Sequence, residues 1–390
     1  TLSRSRQEFK QLRSHLFMLA SSRLYFDEAC ASLAHQQPVQ VPSGTRDAKE
    51  RIRFWCSKGE FTKAFLGSDP EISVADTRDE GVRAKISTLF PQMDLPEPLP
   101  APSEPFPVSF AECLGAARRT NKHKAVSLSG WSRELFVPMC SYLTPIAQAS
   151  LASIFTDLIN VRISEAEMEF ISAGILTPLQ YKSKPGKLRP IVVLDYFLKV
   201  CWKILLTDLK DPNVEKSGHV FGRQGASQLA VFTVQAALDA GRTVVACDAQ
   251  NAYNTIYRKP AFDYIRSVSA SMPQYARTIP LLNLLYARKS DVFLYHSAER
   301  VGHISVTTGT RQGCASGLWF YTLGTLDISL RYQGKIVQVA DDVQIIAENS
   351  ITIAPEVFAA FSAIGQILTG PKLRIISASK QIVTPFPATI

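Results

Sequence analysis

The stretch KIVQVADDVQIIAE, residues 335–348, contains two short β-prone runs that meet at an acidic pair. Valine, isoleucine and alanine stand on both sides of Asp341 and Asp342, and this pattern predicts two half-buried strands joined at the acids. Two carboxylates at the tip of a buried hairpin repel each other unless a cation lies between them. Mg²⁺ is the usual cation in such a position, and a solvated acidic turn is the alternative.

The composition predicts a globular protein, and its positive charge is expected of a chain that handles polyanions, with a merely basic soluble protein as the alternative. With 390 residues and 46% hydrophobic side chains, the chain can form one large mixed domain or two to three lobes. Lysine and arginine (43) exceed aspartate and glutamate (34), which gives a net charge of +9. The seven cysteines include no CxxC pair, so reduced thiols are favoured over a zinc module. No apolar run is long enough to span a membrane, so no membrane partner is expected.

Proline spacing divides the chain. Seven prolines in residues 91–107 exclude a helix interior or a central strand and predict an extended linker. Residues 1–90 are expected to form a helical N-terminal extension, because apolar residues over 1–66 recur at helical spacing. Residues 108–390 then form the main domain. Because the chain begins with Thr1, we expect a piece of a longer polypeptide.

Local signals predict individual elements of the main domain. Ser109 has the position of a helix N-cap, and Gly241 that of the glycine after a helix. Residues 291–296 and 303–308 are expected to pair as a hairpin.

A basic hairpin is predicted over residues 181–193, YKSKPGKLRPIVV, where a Pro-Gly turn precedes a valine and isoleucine run. Four cations surround the turn: Lys182, Lys184, Lys187 and Arg189. They suit a triphosphate or a nucleic-acid backbone, and Arg189 can bind phosphate oxygens in bidentate fashion. A solvated hairpin edge protected by lysines is the alternative.

Two further motifs lie between the basic hairpin and the acidic pair. The apolar run TVVAC, residues 243–247, predicts a buried strand that ends at a third acid, Asp248. Residues 309–317, GTRQGCASG, form a loop of small residues that would let the backbone approach a flat or bulky group, although a tight helix start also explains the glycines.

In order, the strand ending at Asp248, the Gln312-Gly313 loop and the strands around Asp341 and Asp342 resemble motifs A, B and C of reverse transcriptases. The sequences SGW (129–131), GKLRPI (186–191) and RQGC (311–314) are most similar to those of non-LTR retrotransposon enzymes, especially the site-specific branch. The resemblance covers residues 127–380. It implies an α+β fold of right-hand polymerase fingers and palm, with an antiparallel palm sheet, packed helices, and a thumb that is missing or truncated.

The resemblance also implies roles for the acids and their neighbours. Asp248 and Asp341 match the metal-binding carboxylates, and Ala249 matches the residue whose main-chain carbonyl contacts metal. Asp342 matches the second acid of the catalytic hairpin. Tyr253 matches the side chain that stacks under the incoming sugar and excludes a 2′-hydroxyl group.

Further substrate contacts follow from the same resemblance. Lys187 and Arg189 match the cations on the triphosphate, and Gln312 with Gly313 matches the loop against the nucleotide and template. Lys380 matches the lysine that approaches the departing pyrophosphate. The chain departs from the family at Val339, where an aromatic residue is usual, and at Gly317, where many relatives have proline.

The resemblance implies an RNA-directed DNA polymerase that uses two Mg²⁺ ions, or Mn²⁺, to join dNTPs to a DNA primer on an RNA template. Carboxylates on neighbouring strands suit such a pair of ions independently of the family. The implied location is nuclear, with the cytoplasm as the alternative. Three other functions stay open: an RNA-directed RNA polymerase, disfavoured by Tyr253, a catalytically inactive RNA-binding domain, and a basic RNA-associated scaffold.

Overall fold

Helices and strands alternate irregularly along the chain and form two separate sheets. The computed structural model describes residues 72–121, 127–181, 186–220, 226–296 and 299–376. The strands are β1 (Ile72–Val74), β2 (Gly174–Tyr181), β3 (Leu188–Leu194), β4 (Thr243–Ala249), β5 (Ser290–His296), β6 (Glu299–Val306), β7 (Ile336–Val339), β8 (Asp342–Ala347) and β9 (Leu368–Ile376). The mixed content, with mostly antiparallel pairing, confirms the predicted α+β class.

Fourteen helices lie within the described residues. They are α1 (Glu80–Thr88), α2 (Phe110–Arg118), α3 (Arg133–Cys140), α4 (Pro145–Ile159), α5 (Glu165–Ser172), α6 (Tyr196–Leu206), α7 (Pro212–Lys216), α8 (Ala226–Asp239), α9 (Ala252–Thr255), α10 (Lys259–Val268), α11 (Pro273–Ala276), α12 (Ile279–Tyr286), α13 (Gly317–Arg331) and α14 (Ser350–Ala363). None of the helices in these ranges is long and apolar enough to cross a bilayer.

The first sheet contains the predicted basic hairpin. β2 and β3 pair antiparallel along their whole length, from Gly174 opposite Leu194 to Gln180 opposite Leu188. On its other side β2 pairs with β1 and, in parallel, with β5, which in turn pairs with β6. Alternate side chains such as Val192 are buried in the main core against the helices, so the opposite face of the hairpin is left partly exposed.

The second sheet carries the acids and is covered by helices on both faces. Its order is β7-β8-β4-β9, and every pair is antiparallel. Val244 packs in one cluster with Ala237 of α8, whereas the adjacent Val245 packs in another with Phe361 of α14. Both valines are buried because neighbouring residues of a strand point to opposite faces. The continuous apolar run of β4 is therefore explained by its two covered faces.

Residues 72–107 pack onto the main domain. Val74 of β1 pairs with Leu179 of β2, and Ile86 of α1 is fully buried in the main core. Residues 91–107 contain neither helix nor strand, in agreement with their prolines, and the Gln92 side chain donates to the Ser305 carbonyl at 2.9 Å. The helices predicted over 1–66 lie outside the described residues. Domain boundaries at 91 and 107 stay a prediction.

The structure contains the two helix ends and the hairpin that the sequence predicted. Ser109 forms a capping box with Glu112 at the start of α2, and Gly241 follows α8 with φ +78°, so both predicted helix ends are confirmed. The predicted hairpin is present as β5 and β6, but β6 begins at Glu299 rather than at residue 303. A bulge between Leu294 and Tyr295 shifts the register and lets pairing continue to the turn, which the alternating pattern did not reveal.

Candidate active site

The three predicted acids meet at one end of the second sheet. Asp248 of β4 lies directly opposite Asp342 of β8, and the Ala249 amide donates a hydrogen bond to the Asp341 carbonyl at 2.9 Å. Side chains of directly paired residues lie on the same face, so Asp248 and Asp342 share a face, with Asp341 in the adjoining turn. Folding thus brings distant acids together, while their catalytic and metal-binding roles stay predictions.

A buried amide holds the turn that carries Asp341. Ala340 adopts the left-handed conformation with φ +55°, which is unfavourable for a residue with a side chain. The Gln338 side chain is fully buried, and its amide nitrogen donates to the Ala340 carbonyl at 2.9 Å. Ser329 of α13 donates to the Gln338 side-chain oxygen at 3.3 Å. The turn is therefore fastened to a core helix.

The loop after Asp248 is held from two sides. Asn251 has φ +51° and donates its side-chain amide to the Leu89 carbonyl at 2.7 Å, which links the loop to the end of α1. The Tyr253 ring packs against Tyr321 of α13 with ring centres 5.3 Å apart. Burial, and then the nearby Asp341 carboxylate, raise the pKa of Tyr253 to about 12. Its phenol is therefore neutral at physiological pH.

The Gln312-Gly313 loop lies against β3. The Val192 amide donates to the Gln312 carbonyl at 2.9 Å. Gly313 has φ +105°, and a Cβ atom there would lie 2.8 Å from the Val192 carbonyl oxygen. Both the conformation and the close approach therefore require glycine. The close packing of the loop against β3 therefore explains why position 313 is glycine, which a tight helix start alone would not.

Arg258 supports the beginning of the same loop. It is buried and donates three hydrogen bonds, to the carbonyls of Gly309, Thr308 and Tyr286, at 2.9 to 3.0 Å. Burial lowers the pKa of Arg258 to about 9, which leaves the guanidinium charged at neutral pH. Nothing in the sequence pattern distinguished Arg258 from a surface arginine, because its partners are backbone groups distant in sequence.

These elements enclose a cleft of about 480 Å³. The predicted site residues that line it are Asp248, Ala249, Tyr253, Gln312, Asp341, Lys187 and Arg189. Asp342 and Gly313 lie next to this set but not among the lining residues. Lys182, Lys184 and Lys380 fall outside the described residues, so their contacts stay predictions. Among the lining residues to which the sequence interpretation gave no role are four polar ones: Lys85, Gln250, Asn251 and Asn254.

The donor set of the cleft suits a hard cation. Asp248 and Asp341 supply carboxylate oxygens, and Ala249 supplies a main-chain carbonyl. Mg²⁺ prefers oxygen ligands and is commonly held by one or two carboxylates together with substrate phosphates and water. Within the described ranges no group of three or more His, Cys, Asp or Glu side chains is arranged to hold a metal. The residues present fit an ion whose coordination is completed by substrate.

A second cavity of about 430 Å³ adjoins the other side of the Gln312-Gly313 loop. Gly313 lines this cavity, whereas Gln312 lines the first cleft, so the loop forms part of the wall between them. The second cavity combines aromatic and cationic side chains, namely Trp131, Tyr196, Arg133, Lys199 and Lys203. Aromatic rings and cations in one groove are typical of sites for single-stranded nucleic acid.

Comparisons with known proteins give one informative relative. No protein-family model matches the chain. The chain is 27% identical over 306 residues to the Retrotransposable element SLACS 132 kDa protein of Trypanosoma brucei gambiense. The match covers 75% of this chain and 24% of that protein, so the chain corresponds to about a quarter of its relative. The chain is therefore related in sequence to a retrotransposable-element protein, which agrees with the retrotransposon family that its motifs predicted.

Proposed function

We propose that the chain is the fingers and palm of a reverse transcriptase, an RNA-directed DNA polymerase that transfers nucleotides from dNTPs to a primer 3′-hydroxyl group. The observation that carries this proposal is that Asp248, which is paired with Asp342, lines one cleft together with Asp341, Lys187 and Arg189. Acids and cations in one cleft suit a reaction that needs metal ions and a triphosphate together.

Each cleft residue has a task in this proposal. Asp248, Asp341 and the Ala249 carbonyl would hold Mg²⁺, which stabilises charge on the attacking and leaving oxygens when it is bound. Lys187 and Arg189 bind the triphosphate, and Arg189 offers the bidentate geometry that phosphate accepts. Tyr253, held by Tyr321, presents a rigid ring to the sugar and so disfavours a 2′-hydroxyl group.

The second cavity supports a nucleic-acid template as the partner. The partly buried Trp131 can stack on a base, and Arg133, Lys199 and Lys203 can contact phosphates. The cavity adjoins the nucleotide cleft at the Gln312-Gly313 loop, so a template strand held there would lie next to the nucleotide site. The relative is a retrotransposable-element protein, which agrees with an RNA template.

Replacement of one acid tests the proposal. The 390-residue chain is given a DNA primer annealed to an RNA template, with dNTPs and Mg²⁺. We expect Asp341→Asn to reduce primer extension by about 10³-fold or more, because an uncharged amide holds Mg²⁺ poorly. Asp327→Asn is the matched control, since Asp327 is an exposed acid paired with Arg331 on α13, and it should retain full activity.

Two measurements distinguish the alternatives. Primer–template affinity should be unchanged in Asp341→Asn, because the acid acts on the metal rather than on the duplex. A wild-type chain that binds RNA but extends no primer would instead support the inactive RNA-binding domain. Equal incorporation of rNTPs and dNTPs by the wild type would support an RNA polymerase and would remove the role given to Tyr253.

A further inference from the structure

Lys85 is a third cation of the cleft and comes from a distant part of the chain. It lies on α1, within residues 1–90, which the sequence analysis assigned to a helical N-terminal extension. Lys85 lines the same cleft as Lys187 and Arg189, together with Asp248 and Asp341. Its ammonium nitrogen lies close to Gly186, where an added Cβ would be 2.9 Å from Lys85 Nζ.

The helix that carries Lys85 is fixed in place. Asp79 caps its start by accepting from the Gly81 amide at 2.7 Å, and Ile86, the next residue after Lys85, is fully buried in the main core. At its other end the Leu89 carbonyl accepts from the side chain of Asn251, three residues beyond Asp248. The position of Lys85 is therefore coupled to the loop that follows the catalytic strand.

Three cations from two chain segments gathered at one cleft repel one another, and a bound polyanion would remove that repulsion. The ammonium of Lys85 is exposed and offers three hydrogen-bond donors. We propose that Lys85 binds the triphosphate of the incoming nucleotide together with Lys187 and Arg189. This inference rests on the proposed polymerase function and extends the nucleotide site to the segment before the proline-rich residues.

The test compares three variants of the whole chain in primer extension at varied dNTP concentration. We expect Lys85→Ala to raise the KM for dNTP about 5- to 20-fold with little change in kcat, because the lost bond is charge-assisted but solvent-exposed. Lys85→Arg keeps the charge and should stay within about threefold of the wild type. Lys335→Ala removes an exposed lysine that does not line the cleft, and it should leave KM unchanged.

A binding assay keeps this test separate from the proposed activity. Inorganic tripolyphosphate with Mg²⁺ is titrated into each variant by calorimetry, and Lys85→Ala should bind it more weakly than Lys335→Ala does. If the wild type extends no primer, the polymerase proposal fails while this titration still judges Lys85. The inference is overturned if Lys85→Ala leaves both dNTP KM and tripolyphosphate affinity unchanged. It is also overturned if only primer–template affinity and its salt dependence fall, since Lys85 would then contact a strand backbone.

Discussion

Gln338 connects the acidic turn to the interior of the protein through a single side chain. Its nitrogen holds the Ala340 carbonyl, its oxygen accepts from Ser329, and its main-chain amide donates to the Gly218 carbonyl at 2.8 Å. The left-handed Ala340 places Asp341, so the conformation of this turn depends on a buried amide that never enters the cleft.

Replacing Gln338 should therefore affect catalysis more than substrate binding. We expect Gln338→Glu to lower kcat about 10- to 100-fold with a smaller change in dNTP KM, because Asp341 loses its exact position. The glutamate can still accept from Ser329 but cannot donate to Ala340. The measurement is primer extension as a function of both dNTP and Mg²⁺ concentration, where half-maximal activity should require more Mg²⁺.

Ser329→Ala is the control for this prediction. It removes the bond to the Gln338 oxygen and leaves the bond to Ala340 in place, so kcat should fall less than in Gln338→Glu. Equal losses in the two variants, or parallel losses of stability and kcat, would indicate a general packing role for Gln338 instead of control of the turn.

Residue types and order were enough to select the acids, and they were not enough to select their supports. Asp248 and Asp341 could be predicted because each follows an apolar run that has no other reason to end in a carboxylate. The sequence pattern predicted Gln338 only as a polar residue on a half-buried strand. Arg258 and Asn251 gain their roles from backbone carbonyls far away in the chain, which no local pattern encodes.

At the scale of elements, the contact between β3 and the Gln312-Gly313 loop separates the two cavities. The loop carbonyl of Gln312 accepts from Val192, and Gly313 approaches the same residue too closely for any side chain. The wall between the proposed nucleotide and template sites therefore depends on one strand and one glycine.

Gly313→Ala should push the loop away from β3. We expect a loss of about 1 to 3 kcal/mol in unfolding free energy from the strained backbone. We also expect a higher dNTP KM, because Gln312 moves with its neighbour. Stability is measured by urea unfolding, and KM is measured at a temperature where both proteins are folded.

Gly334→Ala separates backbone strain from steric contact. Gly334 has φ +75°, but a Cβ there would meet no atom within 4 Å. Its replacement should cost stability by a similar mechanism and leave dNTP KM unchanged. A wild-type KM in folded Gly313→Ala would show that the loop tolerates displacement and that the wall has no part in nucleotide binding.

Most elements could be predicted because their signals are local. The β2–β3 hairpin follows from a Pro-Gly turn beside a β-branched run, and the start of α2 from Ser109. The length of β6 could not be predicted, since it depends on a bulge in β6 opposite Leu294 and Tyr295, which is set by cross-strand register. Attachment of α1 to the cleft was also missed, because only the folded chain shows that Asn251 reaches Leu89.

At the scale of the whole molecule, residues 72–107 share the main core. Ile86, Phe90 and Leu99 are each at most 3% exposed and pack in the same cluster as the helices of the main domain. The proline-rich residues also run beside the outer strand β6, where Met93 donates to the Thr307 side chain at 2.9 Å. Removing this segment would uncover both the core and a strand edge.

Truncation tests how the predicted domain boundary relates to folding. A chain that begins at residue 108 should fail to unfold cooperatively, whereas one that begins at 72 should unfold as a unit. Burial of three large apolar side chains contributes about 5 kcal/mol or more, which is comparable to the total stability of many domains. Calorimetry or urea unfolding followed by circular dichroism measures the difference. Cooperative unfolding of residues 108–390 with an unchanged midpoint would establish an independent extension.

The antiparallel pairing of β4 with β8 makes the arrangement of the acids depend on strand register. Asp342 and Val343 occupy successive positions of β8, so they point to opposite faces of the sheet, and Val343 lies in the core cluster that α14 covers. A slip of one residue would exchange them and place the Asp342 carboxylate in that apolar cluster, away from Asp248. A single insertion or deletion within β4 or β8 would therefore separate the paired acids, because it moves every later side chain of the strand to the opposite face.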